Sequence, residues 1–299
     1  MIFLALAVAC SLSIGMIFKY AGRVGMDRIE LLTANYLAAV IVGLGLLVLE
    51  GVEGRFAWSP GVLAIGGVTG ALFIAGFFLL SLATDLAGMG LAVGVMRVSV
   101  VIPFLASWLI WGETPSLAQA VGLLLAAAAF FLIARKDVPT ARVAPAPVEP
   151  DGAVAPESVR TFGVLALVFL AGGLVDTMMK TFEETFAANN SQAFFLLMVF
   201  GVAFVIGLGI RAHAYARGAR PQATTIAAGL VLGVVNYGSA EFLLRAIGVL
   251  SGPFVFPANN IAIVVGAALL GVLFWREHLS RLNWLGLLLA CVALYLLNF

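Results

Sequence analysis

Long apolar runs alternate with short polar intervals along the whole chain. Most of the runs hold about 20 residues, which as an α-helix are long enough to cross a hydrocarbon layer ~30 Å thick. The runs are residues 2–18, 31–49, 62–82, 89–111, 117–134, 162–181, 193–210, 225–246, 253–275 and 282–298. The pattern therefore predicts an all-α membrane protein with ten transmembrane helices.

The first run and the longest polar interval set the expected organisation. The first run lacks a basic leader and is followed by Lys19 and Arg23 rather than by a cleavage motif, so we expect it to be retained as a helix. Residues 135–160 contain VPTARVAPAPVEPDGAVAPES, a composition typical of an extended linker. This linker divides the chain into two five-helix domains, residues 1–134 and 161–299.

The two domains repeat one another. WGETPSLAQAVGLLLA, which begins at Trp111, is nearly the same as WREHLSRLNWLGLLLA, which begins at Trp275. GLGL at 43–46 recurs as GLGI at 207–210, and IFK at 17–19 resembles MMK at 178–180. A GxxxG pattern also occurs in both the third and the eighth run. These matches follow the same order, which indicates a duplication.

An odd number of spans in each copy has a topological consequence. Successive copies must enter the membrane from opposite sides, so the two five-helix repeats are expected to be inverted. Inverted repeats around one central site are typical of secondary transporters, in which similar halves exchange inward-open and outward-open packings.

Composition agrees with lipid as the solvent and narrows the partners. Apolar residues make up 63% of the chain, charged residues only 10%, and the mean hydropathy is +1.13, which a water-soluble globule of this size cannot bury. The net charge of +1 gives no concentrated basic surface for a nucleic acid. Cys10 and Cys291 stand alone in apolar runs, so we interpret them as packing residues rather than disulfide or metal ligands.

The chain resembles the drug/metabolite transporter superfamily, as an EamA-type transporter with two EamA-like repeats. The resemblance rests on the WGETPS and WREHLS turns, in each of which an acidic residue closes a tight loop between two spans, and on Gly122 and Gly286 in the following helices. It covers nearly the whole chain. Members of this group move amino acids, nucleotide sugars, other metabolites and cationic drugs, so the resemblance implies transport without identifying the substrate.

Charges in the polar intervals predict the orientation. Lys19, Arg23, Arg28, Arg135, Lys136, Arg142, Arg160, Arg211, Arg217, Arg220, Arg276 and Arg281 fall on one side, and Arg55, Lys180 and Arg245 on the other. Because positive residues favour the cytoplasmic side, the first group is expected inside the cell and both termini outside it. The expected location is the cell (inner) membrane.

Arg97 is the most deeply placed charge within the apolar runs. A charge in the hydrocarbon costs about 2.5 to 3.5 kcal/mol on insertion scales, so it needs a partner or a wet cavity. Its planar guanidinium suits a carboxylate or a phosphate, which makes Arg97 a candidate substrate-binding residue. The alternative is that Arg97 pairs with Asp176 or Glu241 and only holds helices together.

Two further pairs of charges stand at helical spacing. Asp176 and Lys180 are four residues apart, as are Glu241 and Arg245, so each pair shares one helix face. Local ion pairing that lowers the burial cost is one interpretation. The other is that Asp176 and Glu241 bind substrate or carry protons as a coupling ion, because desolvation raises the pKa of a carboxyl group.

The ninth run contains SGPFVFPANNIAIVVG, from residue 251 to 266. Pro257 removes one helix hydrogen bond and predicts a break, which a membrane protein tolerates only against protein or water. Asn259 and Asn260 follow directly and would offer amide donors and acceptors to a polar ligand at that break.

The eighth run places Asn236 and Tyr237 before Glu241, and the second run holds Asn35 and Tyr36. Asn236 and Tyr237 are candidate substrate-binding residues. Asn and Tyr in membranes also join helices or anchor them at the interface. For Asn35 and Tyr36 we expect packing.

Lys19 and Lys180 correspond in the two repeats. They either extend toward the headgroups or act as charged gates at opposite faces, with Arg245 as a further charge near the second of these. Glu113 and Glu277 are assigned to the structure of their turns.

Motifs for other functions are missing from the sequence. It has no HExxH, no glycine-rich phosphate cradle and no recognisable base beside a serine, which argues against an enzyme. No ATP-binding motif, cofactor or metal is expected. The sequence favours a secondary transporter for a small polar metabolite, amino-acid-like or otherwise carboxylate-bearing or anionic. The alternatives are an exporter of amphipathic cations with Glu241 or Asp176 as counter-ion, and a non-transporting receptor or assembly subunit.

Overall fold

A computed structural model describes residues 1–49, 59–87, 89–134, 156–275, 280–297 and 299. In this part of the chain every regular element is an α-helix. The helices are α1 (Ile2–Arg23), α2 (Arg28–Leu49), α3 (Pro60–Ala87), α4 (Met89–Val98), α5 (Val101–Leu109), α6 (Leu117–Ala134), α7 (Pro156–Thr185), α8 (Gln192–Ala216), α9 (Ala223–Ile247), α10 (Gly252–Trp275) and α11 (Arg281–Leu297).

Each of the ten apolar runs coincides with helical structure. Among the described residues, eight helical segments are long and apolar enough to cross a membrane, with α4 and α5 together forming one of them. The helices α6 and α11 contain shorter apolar segments. The protein is therefore an all-α, multi-pass membrane protein.

The fourth apolar run forms two helices instead of one. Helix α4 ends at Val98 and α5 begins at Val101. Pro103 has no N–H to donate to the Ser99 carbonyl, which instead accepts a hydrogen bond from the Ile102 N–H at 2.9 Å. The chain therefore makes a tight turn in the middle of this span.

The break predicted at Pro257 is wrong. Helix α10 runs without interruption from Gly252 to Trp275 with Pro257 inside it. Because Pro257 lies in the second helical turn, only the Pro253 carbonyl loses its usual donor, and the helix continues beyond it.

Part of the predicted linker belongs to a helix, because α7 begins at Pro156. The remainder of the linker, residues 135–155, lies outside the described residues, as do Glu277 and the turn around it.

Both GxxxG motifs lie where helices approach most closely. A Cβ added to Gly70 of α3 would collide with the Val199 carbonyl oxygen of α8, and a Cβ added to Gly233 of α9 would collide with the Asn35 carbonyl oxygen of α2. Glycine is thus required for the α3–α8 and α2–α9 contacts. Together with the α6–α11, α1–α9, α2–α8 and α3–α7 contacts, these two are the most extensive helix contacts among the described residues.

The helices that follow the two nearly identical stretches, α6 and α11, begin in the same way. Ser116 and Gln119 exchange hydrogen bonds between side chain and backbone N–H at the start of α6, and Ser280 and Asn283 do the same at the start of α11. Each pair is a capping box, which satisfies free N–H groups in the first turn of its helix.

Helices α6 and α11 pack along each other in opposite directions. The Gln119 amide at the start of α6 donates to the Leu297 carbonyl at the end of α11, at 3.4 Å. The Asn283 amide at the start of α11 donates to the Leu132 carbonyl near the end of α6, at 2.9 Å. Because each start meets the other's end, the pair is antiparallel.

Candidate functional site

Arg97 and Asn260 join two different spans. The Nη1 atom of Arg97, in the last turn of α4, donates a hydrogen bond to Oδ1 of Asn260 on α10 at 3.0 Å. Nδ2 of Asn260 donates to the Phe256 carbonyl at 3.1 Å, which turns the amide oxygen toward the guanidinium. Arg97 is partly buried and Asn260 is buried.

The interruption between α4 and α5 places Arg97 at a helix C-terminus. The carbonyl groups at that end carry partial negative charge, which stabilises a cation there. Glycines on α7 let the turn lie close to that helix: a Cβ at Gly172 would come within 2.8 Å of the Ser99 Oγ atom, and one at Gly173 would collide with Ile102. The two glycines of α7 therefore allow the turn between α4 and α5 to pack directly against α7.

Asp176 lies about one helical turn beyond these glycines on α7. Its carboxylate and the Arg97 guanidinium attract each other electrostatically, but within the described residues no direct ion pair joins them. Both side chains are only partly buried. The arrangement is a cluster of one cation, one anion and one amide, in which the guanidinium makes one side-chain hydrogen bond among the described residues, to Asn260.

The predicted pair between Asp176 and Lys180 does not form. Lys180 is 1% exposed, and its Nζ atom lies 2.7 Å from Glu113 Oε1 and 2.6 Å from Glu184 Oε1. The Trp111 ring is 6.0 Å from Nζ, measured to the ring centroid. Lys180 therefore reaches across to the loop between α5 and α6 instead of pairing with the preceding turn.

The predicted pair between Glu241 and Arg245 is confirmed. Nε and Nη2 of Arg245 each lie 2.7 Å from Oε1 of Glu241. Arg245 is well exposed, with its guanidinium over the Phe3 ring. Oε2 of the buried Glu241 has no hydrogen-bond partner among the described residues.

Asn236 and Asn35 bond each other, with Asn236 Nδ2 donating to Asn35 Oδ1 at 3.2 Å. Tyr36 and Tyr237 both pack against Phe200, with ring centroids 6.3 and 5.8 Å from it. These contacts favour the packing interpretation for all four polar residues, because the interactions join α2, α8 and α9 to one another.

Asn259 and Lys19 complete the candidate residues. Asn259 is buried, and its Oδ1 atom has no hydrogen-bond partner in the described part of the chain. Lys19 is partly buried near the end of α1. The structure thus brings Arg97, Asn260 and Asp176 together, whereas Glu241 and Lys180 find their partners elsewhere.

Glu113 does more than close its turn. Its Oε1 atom binds Lys180 of α7, and its Oε2 atom accepts the Gly252 N–H at the start of α10 at 2.8 Å. The sequence contained a signal for this contact, because Glu113 and Lys180 each recur in the other repeat. The position of Glu113 in a turn does not by itself predict the contact with Lys180.

A second ionic cluster was not predicted from the sequence. Arg211 of α8 lies 3.3 Å from Asp27 and 3.4 Å from Glu30. Glu30 Oε1 also accepts hydrogen bonds from the Tyr215 hydroxyl at 2.8 Å and from the Gln222 N–H at 3.1 Å. The cluster joins the start of α2 to the end of α8 and the loop before α9.

Comparison with known proteins identifies relatives but names no activity. No family model matches the chain. An uncharacterised protein of Haemophilus influenzae is 25% identical over 99% of this chain and 97% of its own length. One protein crystal structure superimposes with a TM-score of 0.72 at 16% identity, covering 99% of this chain and 94% of that one. That likeness shows that the fold as a whole occurs in another solved protein.

Proposed function

We propose that the protein is a secondary transporter of the EamA type, which moves a small polar metabolite bearing a carboxylate or other anionic group across the cell membrane. The proposal rests mainly on the environment of Arg97. This cation is partly buried at an interrupted span, and its guanidinium has further N–H donors beyond the one bound to Asn260. Interrupted spans that expose helix ends at the middle of the bilayer form the substrate sites of many transporters.

The helix contacts support two repeats of five spans. The contact of α3 with α8 through Gly66 and Gly70 has its counterpart in the contact of α9 with α2 through Gly229 and Gly233. Exchanging the third span with the eighth, and the seventh with the second, converts one contact into the other. Corresponding helices of the two halves therefore make corresponding contacts, as expected of a duplicated bundle.

A second pair of corresponding contacts also joins the same spans of the two halves, but the large and the small residue have changed places. Ile102 fills the space left by Gly173 between the fourth and sixth spans, and Leu12 fills the space left by Gly266 between the first and ninth. The antiparallel pairing of α6 with α11 favours opposite orientations for the two repeats. Inverted repeats of this kind are suited to alternating access around a central site.

Arg97 and Asn260 are the residues we assign to substrate recognition. The guanidinium would bind the anionic group, since a planar fork of donors matches carboxylate and phosphate oxygens. Asn260 holds the guanidinium in place, and Asp176 provides a neighbouring anion for an ammonium group or a coupling proton. The unpartnered Oδ1 of Asn259 is a further acceptor for a substrate donor.

The test is flux into liposomes that contain the purified protein, with a panel of amino acids, other carboxylates, phosphorylated metabolites and amphipathic cations. We expect saturable flux of an anionic or zwitterionic compound, lost in Arg97→Ala and largely lost in Arg97→Lys, which keeps the charge without the fork. Asn236→Ala is the matched control, because it removes a buried interhelical polar group away from Arg97. Unchanged kinetics in Arg97→Ala, with intact folding, would remove the proposal.

An exporter of amphipathic cations is the second candidate function. It is favoured by the buried Glu241, whose Oε2 atom has no donor among the described residues. In that case flux of a cation depends on Glu241 and survives Arg97→Ala. The same panel therefore separates the two functions.

A further inference from the structure

We propose that Glu113 and Lys180, with the Gly252 N–H, form a lock that holds one end of the transport pathway closed and must break when that end opens. The inference rests on the proposed transport function. It gives Glu113 a role in the cycle that its place in a turn does not suggest.

Three separate elements meet at the lock. Lys180 lies in the last two turns of α7, and Glu113 lies in the loop between α5 and α6. Gly252 is the first residue of α10. One carboxylate holds all three, through Oε1 to the lysine at 2.7 Å and through Oε2 to the backbone N–H at 2.8 Å. Hydrogen bonds to a charged group are stronger than those between neutral groups, and both oxygens of the Glu113 carboxylate make one.

The surroundings of the lock are closely packed. A Cβ at Gly252 would collide with the Ser107 Oγ atom, so the start of α10 sits directly on α5. Lys180 and Ser107 are both fully buried at this point. An aqueous path cannot pass here unless the start of α10 moves away from α7 and the loop.

Away from the lock, α7 and α10 touch each other little, although each of them packs against α5. Across the described residues, α7 and α10 make no extensive contact of their own, in contrast to the α2–α8 and α2–α9 contacts. The Arg211 cluster lies within that well-packed block of α2, α8 and α9 and has no comparable gap to close. The Glu113 contact, by comparison, joins α7 to α10, two helices that otherwise meet mainly through α5.

Lys180 also supplies an internal control. Its second partner, Glu184, lies on the same helix. Glu184→Gln therefore removes one negative charge beside Lys180, as Glu113→Gln does, but leaves the connection between α7 and α10 in place. Glu113→Gln replaces one acceptor oxygen by an NH2 group, so it loses either the contact with Lys180 or the one with the Gly252 N–H, and it leaves Lys180 paired with Glu184. The two variants differ in that one respect and are suited to a direct comparison.

The experiment measures access to a cysteine placed beneath the lock. Cys10 and Cys291 are replaced by alanine, and Thr177→Cys is introduced on α7, one helical turn closer to the middle than Lys180 and buried. A membrane-impermeant maleimide is applied to reconstituted vesicles from each face in turn. We expect Glu113→Gln to speed labelling from the Glu113 face about tenfold, equivalent to about 1.4 kcal/mol of lost closure free energy.

The controls decide the result. Glu184→Gln should label at the parent rate, and Glu113→Asp, whose shorter chain cannot reach both partners, should label faster than the parent. Equal rates in Glu113→Gln, Glu113→Asp and Glu184→Gln overturn the lock, even if the parent protein transports. Absence of flux in the parent protein over the whole substrate panel would count against transport, whatever the labelling rates.

Discussion

The Nη1 atom of Arg97 and the Oδ1 atom of Asn260 lie 3.0 Å apart and tie the interrupted fourth span to α10. If this bond only positions the guanidinium for a substrate anion, the two changes Asn260→Ala and Asn260→Asp should lower stability to different degrees. The alanine removes an interhelical hydrogen bond worth about 0.6 to 1.7 kcal/mol. The aspartate loses the Nδ2 donor to the Phe256 carbonyl but offers Arg97 a charged acceptor, so it should lose less stability than the alanine.

Activity should not follow stability in this pair. The carboxylate introduced by Asn260→Asp would occupy the guanidinium and compete with an anionic substrate, so flux should fall further in Asn260→Asp than in Asn260→Ala. Thermal unfolding in detergent and flux in liposomes measure the two effects. An Asn260→Asp protein that transports the anion as well as the parent would contradict the role assigned to Arg97.

Gly70 and Gly67 of α3 provide a test of the close helix packing. A Cβ at Gly70 would meet backbone and Val202 of α8, whereas one at Gly67 would meet nothing within 4 Å. Gly70→Ala should therefore lower the free energy of unfolding by about 1 to 3 kcal/mol through overpacking. Gly67→Ala should be neutral or stabilising, because alanine is the better helix former. Equal unfolding temperatures for the two variants would argue against the α3–α8 contact.

Asn236→Ala should affect stability without affecting recognition. The change removes the donor to Asn35 and should cost about 0.6 kcal/mol, the usual size of such a bond between membrane helices. The KM for the transported compound should stay that of the parent protein. A large rise in KM with little loss of stability would instead return Asn236 to the substrate site.

Hydrophobic pattern predicted the helices better than it predicted their interruptions. The ten apolar runs all became helical, and α6 begins and ends where the pattern placed it, because a capping box starts it at Ser116. The prolines were harder to interpret. Pro103 interrupts its span and Pro257 does not, since the effect of a proline depends on its distance from the helix start, and that start at Gly252 is fixed by Glu113, far away in sequence.

Local spacing predicted one ion pair correctly and one wrongly. Glu241 and Arg245 pair as their separation suggested. Lys180 has the same separation from Asp176 but binds Glu113, which the fold brings to it, and Glu184 in the following turn. Asp176 is left facing Arg97, so the candidate site arises from tertiary contacts that spacing along one helix does not contain.

The Arg211 cluster should act as a structural clamp, which separates it from the proposed lock. Glu30 is 2% exposed and accepts from Tyr215 and Gln222 as well as facing the buried Arg211, so Glu30→Ala removes an acceptor from two donors and a counter-ion from a buried cation. That should cost about 1 to 3 kcal/mol of unfolding free energy.

Asp27→Asn is the control for this loss. The Asp27 side chain is 43% exposed and caps α2 through the Glu30 N–H, a role asparagine fills equally well, so the change should cost no more than about 1 kcal/mol. Thermal unfolding in detergent measures both variants. Because the cluster ties helices that remain packed, neither change should speed labelling of Thr177→Cys; faster labelling in Glu30→Ala would mean that this cluster, too, opens during the cycle.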